Sequence, residues 1–120
     1  TITVVNQYLA YAGTWDITER MQSYPYYNTT YVSNISFDNR GNASFTKYSE
    51  YEVPTTLNAP NNSYSTHHID NYIVDLGYNA IINSSINFTT SGSQKQFTGN
   101  VRYYTGSSYD YDNDISGIKR

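Results

Sequence analysis

The 120-residue sequence contains no cysteine, few charged residues and no long apolar run. Without cysteine the chain forms no disulfides, which fits a cytosolic protein and equally a secreted one that does not use them. No segment reaches the ~18 consecutive apolar residues that a membrane-spanning helix needs. The net charge of -3 argues against binding to nucleic acid, which requires a basic patch. These absences predict a single domain with no membrane span and no nucleic-acid partner.

Tyrosine is the residue type in excess, with 15 of 120 residues, and Asn, Ser and Thr are also abundant. The straight-chain residues that favour helices are scarce. Tyr, Thr, Val and Ile instead favour a pleated, half-buried surface. The composition therefore predicts an all-β protein.

The most apolar part of the chain, residues 71–88, alternates between apolar and polar side chains, with Val74 and Leu76 on one parity. Such period-two alternation indicates a strand with one buried face. A single strand of this length would greatly exceed the usual ~5–6 residues. We therefore expect a bend or turn at Gly77 or at residues 83–85. We also expect this stretch to form the central strand or hairpin of the sheet.

Shorter alternating segments predict strands on both sides of this stretch. In the predicted strand at residues 14–21, Trp15 and Ile17 share one face, which makes them core candidates. The turn signal at residues 38–42 predicts a hairpin. The proline-containing residues 54–65 predict a loop. The other predicted strands are residues 1–5, 31–37, 43–53 (with Phe45, Tyr51 and Val53 inward), 97–104 and 114–118.

Seven or eight short strands separated by turns fit a two-sheet antiparallel β-sandwich of the immunoglobulin-like or pilin-like kind. The alternative is a small closed β-barrel of the calycin kind. The uneven strands and long loops favour the sandwich. Residues 1–12 are predicted to form an N-terminal strand or extension, and residues 13–120 a single β domain.

The segment Gly13-Thr14-Trp15 opens a predicted strand that is followed by a hairpin. It resembles the opening of lipocalin- and avidin-type barrels, in which the Trp closes one end of a cup. The resemblance covers three residues and implies a calycin-like cup for a small ligand.

Six Asn-X-Ser/Thr sequons predict N-linked glycans and therefore an extracellular or cell-surface location. Several of the asparagines have the parity opposite to apolar neighbours, and the others lie in predicted turns or loops, so all can face water. The six candidate asparagines are Asn28, Asn34, Asn42, Asn61, Asn83 and Asn87.

Asp110, Asp112 and Asp114 place three carboxylates at alternate positions, as at the start of a calcium-binding loop. Oxygen ligands at this spacing converge on one cation if the loop curls, although Ile115 stands where such loops have glycine. The pair His67 and His68 predicts no metal site, because neighbouring residues on a strand face opposite ways. No catalytic constellation is apparent, so the sequence predicts neither an enzyme nor a bound cofactor.

The primary functional hypothesis is a non-catalytic structural subunit of an extracellular, glycosylated filament, pilus-like thread or surface coat. The N-terminal residues Ile2, Val4 and Val5 belong to a segment that can complete the sheet of a neighbouring subunit by strand addition. A head-to-tail contact of this kind does not close, so it propagates into a homopolymer.

The alternative hypothesis is a secreted binding module, either a calycin-like cup or a carbohydrate-binding sandwich. The resemblance at Gly13-Thr14-Trp15 supports it. Two tyrosine clusters, at residues 24–27 and 103–111, support it as well, because Tyr combines a flat apolar ring with a polar tip.

Overall fold

The computed structural model of the chain describes residues 7–22, 28–58, 67–75, 80–105 and 108–120. These residues form eight β-strands and one short 3-10 helix, Gln7–Tyr11, so the all-β prediction is confirmed. The strands are β1 (Gly13–Met21), β2 (Asn28–Phe37), β3 (Ala43–Tyr48), β4 (Val53–Leu57), β5 (His67–Asp75), β6 (Ala80–Ser91), β7 (Gln94–Thr105) and β8 (Ser108–Lys119).

All eight strands belong to one antiparallel sheet in the order β4-β3-β2-β1-β8-β7-β6-β5. Strands that follow one another in the chain are neighbours in the sheet, except that β4 and β5 form its two ends. The first strand instead pairs with the last, with Ile17 opposite Gly117. The sheet is curled, so that some Cα atoms of β4 and β5 come within 8 Å of each other.

Buried and exposed side chains alternate along the strands, so one face of the sheet is buried and the other faces solvent. The buried face is the concave face of the curled sheet, and it carries the core. On β2, for example, Tyr31 and Ile35 are buried whereas Val32 and Asn34 are exposed. The buried apolar side chains are Tyr11, Trp15, Ile17, Tyr31, Ile35, Ala43, Phe45, Tyr48, Leu57, Ile82, Ile86, Phe88, Phe97, Val101, Tyr103 and Ile115.

Trp15 fills the end of the core that lies next to the 3-10 helix, as its predicted inward orientation requires. It is fully buried, and its ring centroid lies 5.3 Å from that of Phe97. Its Nε1 donates a hydrogen bond to the Tyr11 carbonyl at 2.8 Å. Lys119 Nζ, on the last strand, donates to the Ala10 carbonyl at 3.2 Å. The helix is thus held by both the first and the last strand.

The predicted hairpin at residues 38–42 is confirmed. Asp38 Oδ1 accepts hydrogen bonds from the backbone N–H groups of Arg40 and Asn42, at 2.8 and 2.9 Å. Gly41 N donates to the Asp38 carbonyl at 3.1 Å, which closes the turn.

The prediction for residues 71–88 is partly wrong. Residues 83–85 do not form a turn, because they lie within β6, where the half-buried Asn83 and Ser85 alternate with the buried Ser84. The connection between β5 and β6 is residues 76–79, which fall outside the described part of the chain. The hairpin is also not central, since β5 is an end of the sheet.

The prediction of one strand over residues 43–53 is wrong as well. β3 ends at Tyr48, and a turn over residues 49–52 follows. Ser49 and Glu52 adopt left-handed backbone conformations, with φ of 68° and 51°, which end the extended run. Tyr51 lies in this turn and is 43% exposed, rather than inward.

Part of the predicted loop at residues 54–65 is a strand. β4 spans Val53–Leu57, and Leu57 is fully buried. Pro54 is tolerated there because β4 is an end strand, where a missing backbone N–H costs no ladder hydrogen bond.

Candidate binding site

Of the predicted glycosylation positions that the structure describes, four lie on strands and one lies in a turn. Asn28 and Asn34 on β2 are exposed, and Asn83 and Asn87 on β6 are half-buried. The Asn34 side chain accepts a hydrogen bond from Thr14 Oγ1 at 2.8 Å. Glycosylation of these asparagines remains a prediction.

The two other sequons differ in their surroundings. Asn42 ends the β2–β3 turn, and its Nδ2, the atom to which a glycan attaches, donates to Asp38 Oδ2 at 2.9 Å. Asn61 lies outside the described residues. The predicted assembly strand, with Ile2, Val4 and Val5, also lies outside them.

The acidic residues proposed for calcium lie in strand β8 rather than in a curled loop. Asp112 forms an ion pair with Arg102, with 2.9 Å between Oδ1 and Nε. Asp114 Oδ1 accepts a hydrogen bond from Gln22 Nε2 at 2.7 Å. The side chain of Asp110 is not described. Within the described ranges, no group of three or more His, Cys, Asp or Glu side chains could hold a metal ion.

The concave face changes from apolar to polar along β1, from Trp15 towards Glu19. Glu19 is only 1% exposed. The Tyr103 hydroxyl, on β7, donates a hydrogen bond to Glu19 Oε1. Asn113 Nδ2, on β8, donates to the same oxygen at 2.9 Å. Two donors from the last two strands therefore hold one oxygen of a buried carboxyl group.

Three polar atoms in this region are buried without a hydrogen-bond partner: Glu19 Oε2, Tyr31 OH and Asn113 Oδ1. The Tyr31 hydroxyl lies near the Ser49 backbone amide but makes no hydrogen bond of normal geometry with it. Tyr31 and Asn113 lie on the two strands that flank β1, each diagonal to Glu19. Diagonal neighbours on one face are ~7–8 Å apart, so Tyr31 and Asn113 lie near Glu19 on the concave face, on opposite sides of it. We call Glu19, Tyr31, Tyr103 and Asn113 the Glu19 cluster.

Burial raises the pKa of Glu19 to about 7, because the interior disfavours the charged form. The hydrogen bonds from Tyr103 and Asn113 oppose this rise, and the negative charge of Glu50 adds to it. Burial also raises the pKa values of Tyr31 and Tyr103 well above their ordinary range, and Glu19 reinforces both shifts. Glu19 therefore titrates near neutral pH, whereas these tyrosines stay protonated.

The turn over residues 49–52 joins the Glu19 cluster to the protein surface. Glu50 N donates a hydrogen bond to the Tyr103 hydroxyl at 3.0 Å. The Tyr111 hydroxyl donates to the Glu50 carboxylate, and the rings of Tyr103 and Tyr111 stack with centroids 4.7 Å apart. Hydrogen bonds thus run from the half-buried Tyr111 through Glu50 to Tyr103 and Glu19.

The backbone of this turn is strained at the two residues with positive φ, Ser49 and Glu52. For L-residues, the left-handed conformation costs roughly 1–2 kcal/mol each. Local hydrogen bonds stabilise the turn, from Tyr51 N to Ser49 Oγ at 3.2 Å and from Glu52 N to the Ser49 carbonyl at 3.0 Å. Strain that the surroundings maintain in this way often occurs at functional sites.

A second pair of buried polar side chains, Tyr48 and Ser84, has hydrogen-bond partners for its hydroxyl groups. Ser84 Oγ donates its proton to the Asn100 carbonyl at 2.9 Å. The Tyr48 hydroxyl, which contacts Ser84 Oγ, must therefore be the donor in that second hydrogen bond. Buried polar groups are normally paired in this manner. The unpaired oxygens of the Glu19 cluster depart from that rule.

A polar groove of about 670 Å³ lies on the outer face of the sheet, opposite the Glu19 cluster. Its lining includes Thr18, Thr30, Thr98 and Ser116, which come from four adjacent strands. The groove is open to solvent, and the buried atoms without partners belong to other residues. The interior cluster is therefore the stronger candidate site.

Sequence reasoning did not identify the Glu19 cluster, although one signal was present. Glu19 shares the parity of Trp15 and Ile17, so a charged residue stands on a face that was predicted to be buried. Its partners Tyr103 and Asn113 are 84 and 94 positions away in the chain, and no local pattern connects them.

Comparison of the chain with models of known protein families, with curated proteins and with solved structures found no match. In the part of the chain that is described, no helix is long and apolar enough to cross a membrane.

Proposed function

We propose that this chain is a binding module that holds a small ligand at the Glu19 cluster, inside a calycin-like cup. The observation that carries the proposal is the set of three buried oxygens without partners. An unsatisfied buried polar group costs about 1–3 kcal/mol, so folded proteins retain few of them. A ligand that supplies the missing hydrogen bonds recovers this free energy. A few polar groups set among apolar walls are typical of small-molecule sites.

The strand order supports a calycin-like barrel over the two-sheet sandwich. The strands follow in chain order and β1 lies beside β8, as in an up-and-down barrel. The interior of an eight-stranded barrel is either filled by side chains or holds one small ligand. Here the buried Trp15 lies at one end and the Glu19 cluster lies farther along the same face. A closed apolar end and a polar end agree with the small-ligand cup that the resemblance at Gly13-Thr14-Trp15 implies.

We also propose that the module works outside the cell as a glycoprotein. The six sequons support this location, and Asn28 and Asn34 are exposed on the outer face of the sheet. A carbohydrate attached at such positions leaves the concave face unobstructed.

A fragment screen followed by protein-observed NMR tests the binding proposal. Fragments that bind should shift the amide signals of the Glu19 cluster. Tyr31→Phe, which removes one unpaired oxygen, should weaken those fragments, whereas the adjacent outward substitution Thr30→Ala should not. Shifts confined to the outer groove around Thr18 and Ser116, or the absence of any binding fragment, would contradict the proposal.

The filament-subunit hypothesis is a second proposal, and the ends of the sheet favour it. Within the described residues no strand continues the ladder beyond β4 or β5, so an added strand can pair with either of them where the two ends do not approach each other. β4 has five residues and contains Pro54, which makes it a poor acceptor, so β5 is the better edge.

Deletion of residues 1–5 tests the filament hypothesis. Strand exchange predicts that the shortened chain stays folded, does not polymerise and binds a peptide of the missing sequence. Electron microscopy and sedimentation measure the polymer. A full-length chain that sediments as a monomer, or a shortened chain that polymerises normally, would exclude strand exchange.

A further inference from the structure

We propose that the turn over residues 49–52, between β3 and β4, is a pH-controlled lid, which stays closed while Glu19 is protonated and opens when Glu19 ionises. The lid involves contacts within the chain alone, so it goes beyond the binding proposal and does not depend on it. Three observations support it: the hydrogen bonds that join the turn to Glu19, the exposure of the turn, and the charges near Glu19.

The turn is joined to Glu19 through a single side chain, that of Tyr103. The Tyr103 hydroxyl donates its one proton to Glu19 Oε1 and accepts the backbone N–H of Glu50 at 3.0 Å. The Tyr111 hydroxyl holds the same turn residue from the other side, since it donates to the Glu50 carboxylate. A change at the Glu19 carboxyl group is therefore transmitted through Tyr103 to the backbone of the turn.

The turn lies between the interior and solvent. Ser49 is fully buried, and its backbone amide lies near the Tyr31 hydroxyl. Tyr51 and Glu52 are exposed. Ser49 and Glu52 also hold the left-handed conformations that L-residues disfavour. Opening of the turn uncovers little apolar surface and can relieve this strain, which is characteristic of segments that open without global unfolding.

Ionisation of Glu19 places a negative charge where the chain supplies no positive one. None of the ion pairs between described residues includes Glu19. The charged group that acts on Glu19 is the Glu50 carboxylate, whose negative charge opposes ionisation. The other groups near Glu19 are uncharged: Tyr31, Tyr48, Tyr103 and Asn113. A buried carboxylate without a counter-ion is costly, so ionised Glu19 favours a state in which Glu50 moves away and water enters.

The direction of the pH dependence follows from the two states of the turn. Burial raises the pKa of Glu19 to about 7 with the turn closed, and contact with water returns the pKa towards 4.5 when it opens. The closed state therefore binds more protons, and the open-to-closed ratio rises from about pH 4.5 and levels off above pH 7. For a full return to 4.5, this ratio increases about 70-fold between pH 5 and pH 8.

Hydrogen exchange of the full chain, followed by NMR, tests the lid at the Glu50 backbone N–H. Its protection factor is expected to fall about 70-fold between pH 5 and pH 8. The open-to-closed ratio should reach half of its final value at the midpoint of the Glu19 titration, measured from the carboxyl ¹³C signal. The Asn42 N–H is a matched control in another turn. Its protection factor should stay constant, because its acceptor, the Asp38 carboxylate, remains ionised over this interval.

Low concentrations of urea distinguish opening of the lid from unfolding of the whole protein. Local opening exposes little surface, so urea should leave the exchange of the Glu50 N–H unchanged. Exchange that requires global unfolding accelerates with urea. Backbone amides of the buried residues Trp15 and Ile17 report that second process.

Two variants test whether Glu19 controls the turn. Glu19→Gln keeps an acceptor for Tyr103 but cannot ionise, so the protection factor of the Glu50 N–H should change less than twofold between pH 5 and pH 8. Glu52→Gln removes an exposed carboxylate from the same turn and should retain the 70-fold change of the wild type. Circular dichroism verifies that each variant is folded.

An equal protection factor at pH 5 and pH 8 in the wild type, or a pH dependence that Glu19→Gln retains, would overturn the lid. Exchange of the Glu50 N–H that accelerates with urea as the core amides do would overturn it as well. Should Glu19→Gln not fold, the wild type decides, because a midpoint that differs from that of the Glu19 titration contradicts the inference. None of these measurements uses a ligand, so the lid and the binding proposal can fail separately.

Discussion

The Tyr103 hydroxyl donates a buried hydrogen bond to the Glu19 carboxylate, although β7 and β1 are separated in the sheet by β8. The Tyr103 side chain therefore reaches across the concave face instead of pairing with an adjacent strand. Asn113, on the intervening strand, donates to the same carboxylate oxygen. These contacts join the first strand to the last two, and they hold a carboxyl group whose pKa burial has raised.

The stability of the protein is expected to fall as pH rises from about 4.5 to above 7. The pKa of Glu19 is about 7 in the folded protein and 4.5 ordinarily, so the folded state binds more protons than the unfolded state in this interval. The free energy of unfolding then decreases with pH, by on the order of 3 kcal/mol in total for this residue. Urea unfolding followed by circular dichroism at pH 5 and pH 8 measures the change.

Two variants isolate the contribution of Glu19 to this pH dependence. The free energy of unfolding of Glu19→Gln should change less between pH 5 and pH 8, because the glutamine keeps an acceptor for Tyr103 and Asn113 but cannot ionise. Glu52→Gln, in the exposed part of the β3–β4 turn, should behave as the wild type does. A wild-type protein that is more stable at pH 8 than at pH 5 would show that Glu19 is not the controlling group.

Replacement of Trp15 should lower the free energy of unfolding strongly when the aromatic ring is lost and less when an aromatic ring is kept. Trp15→Ala is expected to lower the free energy of unfolding by about 3–5 kcal/mol, because it leaves a cavity beside Phe88 and Phe97. Trp15→Phe removes the hydrogen bond to the Tyr11 carbonyl but retains an aromatic ring, so its cost should be smaller. Urea unfolding by circular dichroism compares the two, and equal stability of Trp15→Ala and wild type would refute the assignment.

Gly13 and Lys119 should be energetically coupled. Gly13 has φ of 138°, and a Cβ at this position would lie 2.9 Å from Lys119 Cε. Gly13→Ala is therefore expected to cost about 1–3 kcal/mol through backbone strain and the close contact. In a Lys119→Ala background the close contact disappears and the strain remains, so the cost should shrink without vanishing. A double-mutant cycle measures this coupling, and strict additivity would contradict it.

Expression in a eukaryotic secretory system should yield a chain heavier than the bare polypeptide. Asn34 is exposed on the outer face of β2, so it is expected to carry a glycan. Intact mass spectrometry of Asn34→Gln should show the loss of one glycan. Asn39→Gln, at an exposed asparagine outside any sequon, should show no such loss. A wild-type mass equal to that of the bare chain would remove the support for an extracellular glycoprotein.

The turn between β3 and β4 illustrates a part of the fold that sequence patterns missed. Ser49 and Glu52 take up positive φ there, whereas the residues that usually signal such conformations are glycine and asparagine. Pro54 indicated a loop, yet it lies in a strand because β4 is at the end of the sheet. The two errors have different causes: hydrogen bonds within the turn stabilise the conformation at Ser49 and Glu52, whereas the position of β4 at the end of the sheet accommodates Pro54.

The sequence by itself determined the all-β character, the hairpin at residues 38–42 and the buried face that carries Trp15, Ile17 and Phe45. These features depend on residue types and on spacings of two, which are local properties of the chain. The tertiary structure alone decided that β1 pairs with β8 and that Glu19 meets Tyr103 and Asn113. Those contacts join residues more than 80 positions apart, and they depend on how the whole sheet curls. The candidate site arises from that curl, because it brings Tyr103 and Asn113, from two other strands, to the buried carboxyl group of Glu19.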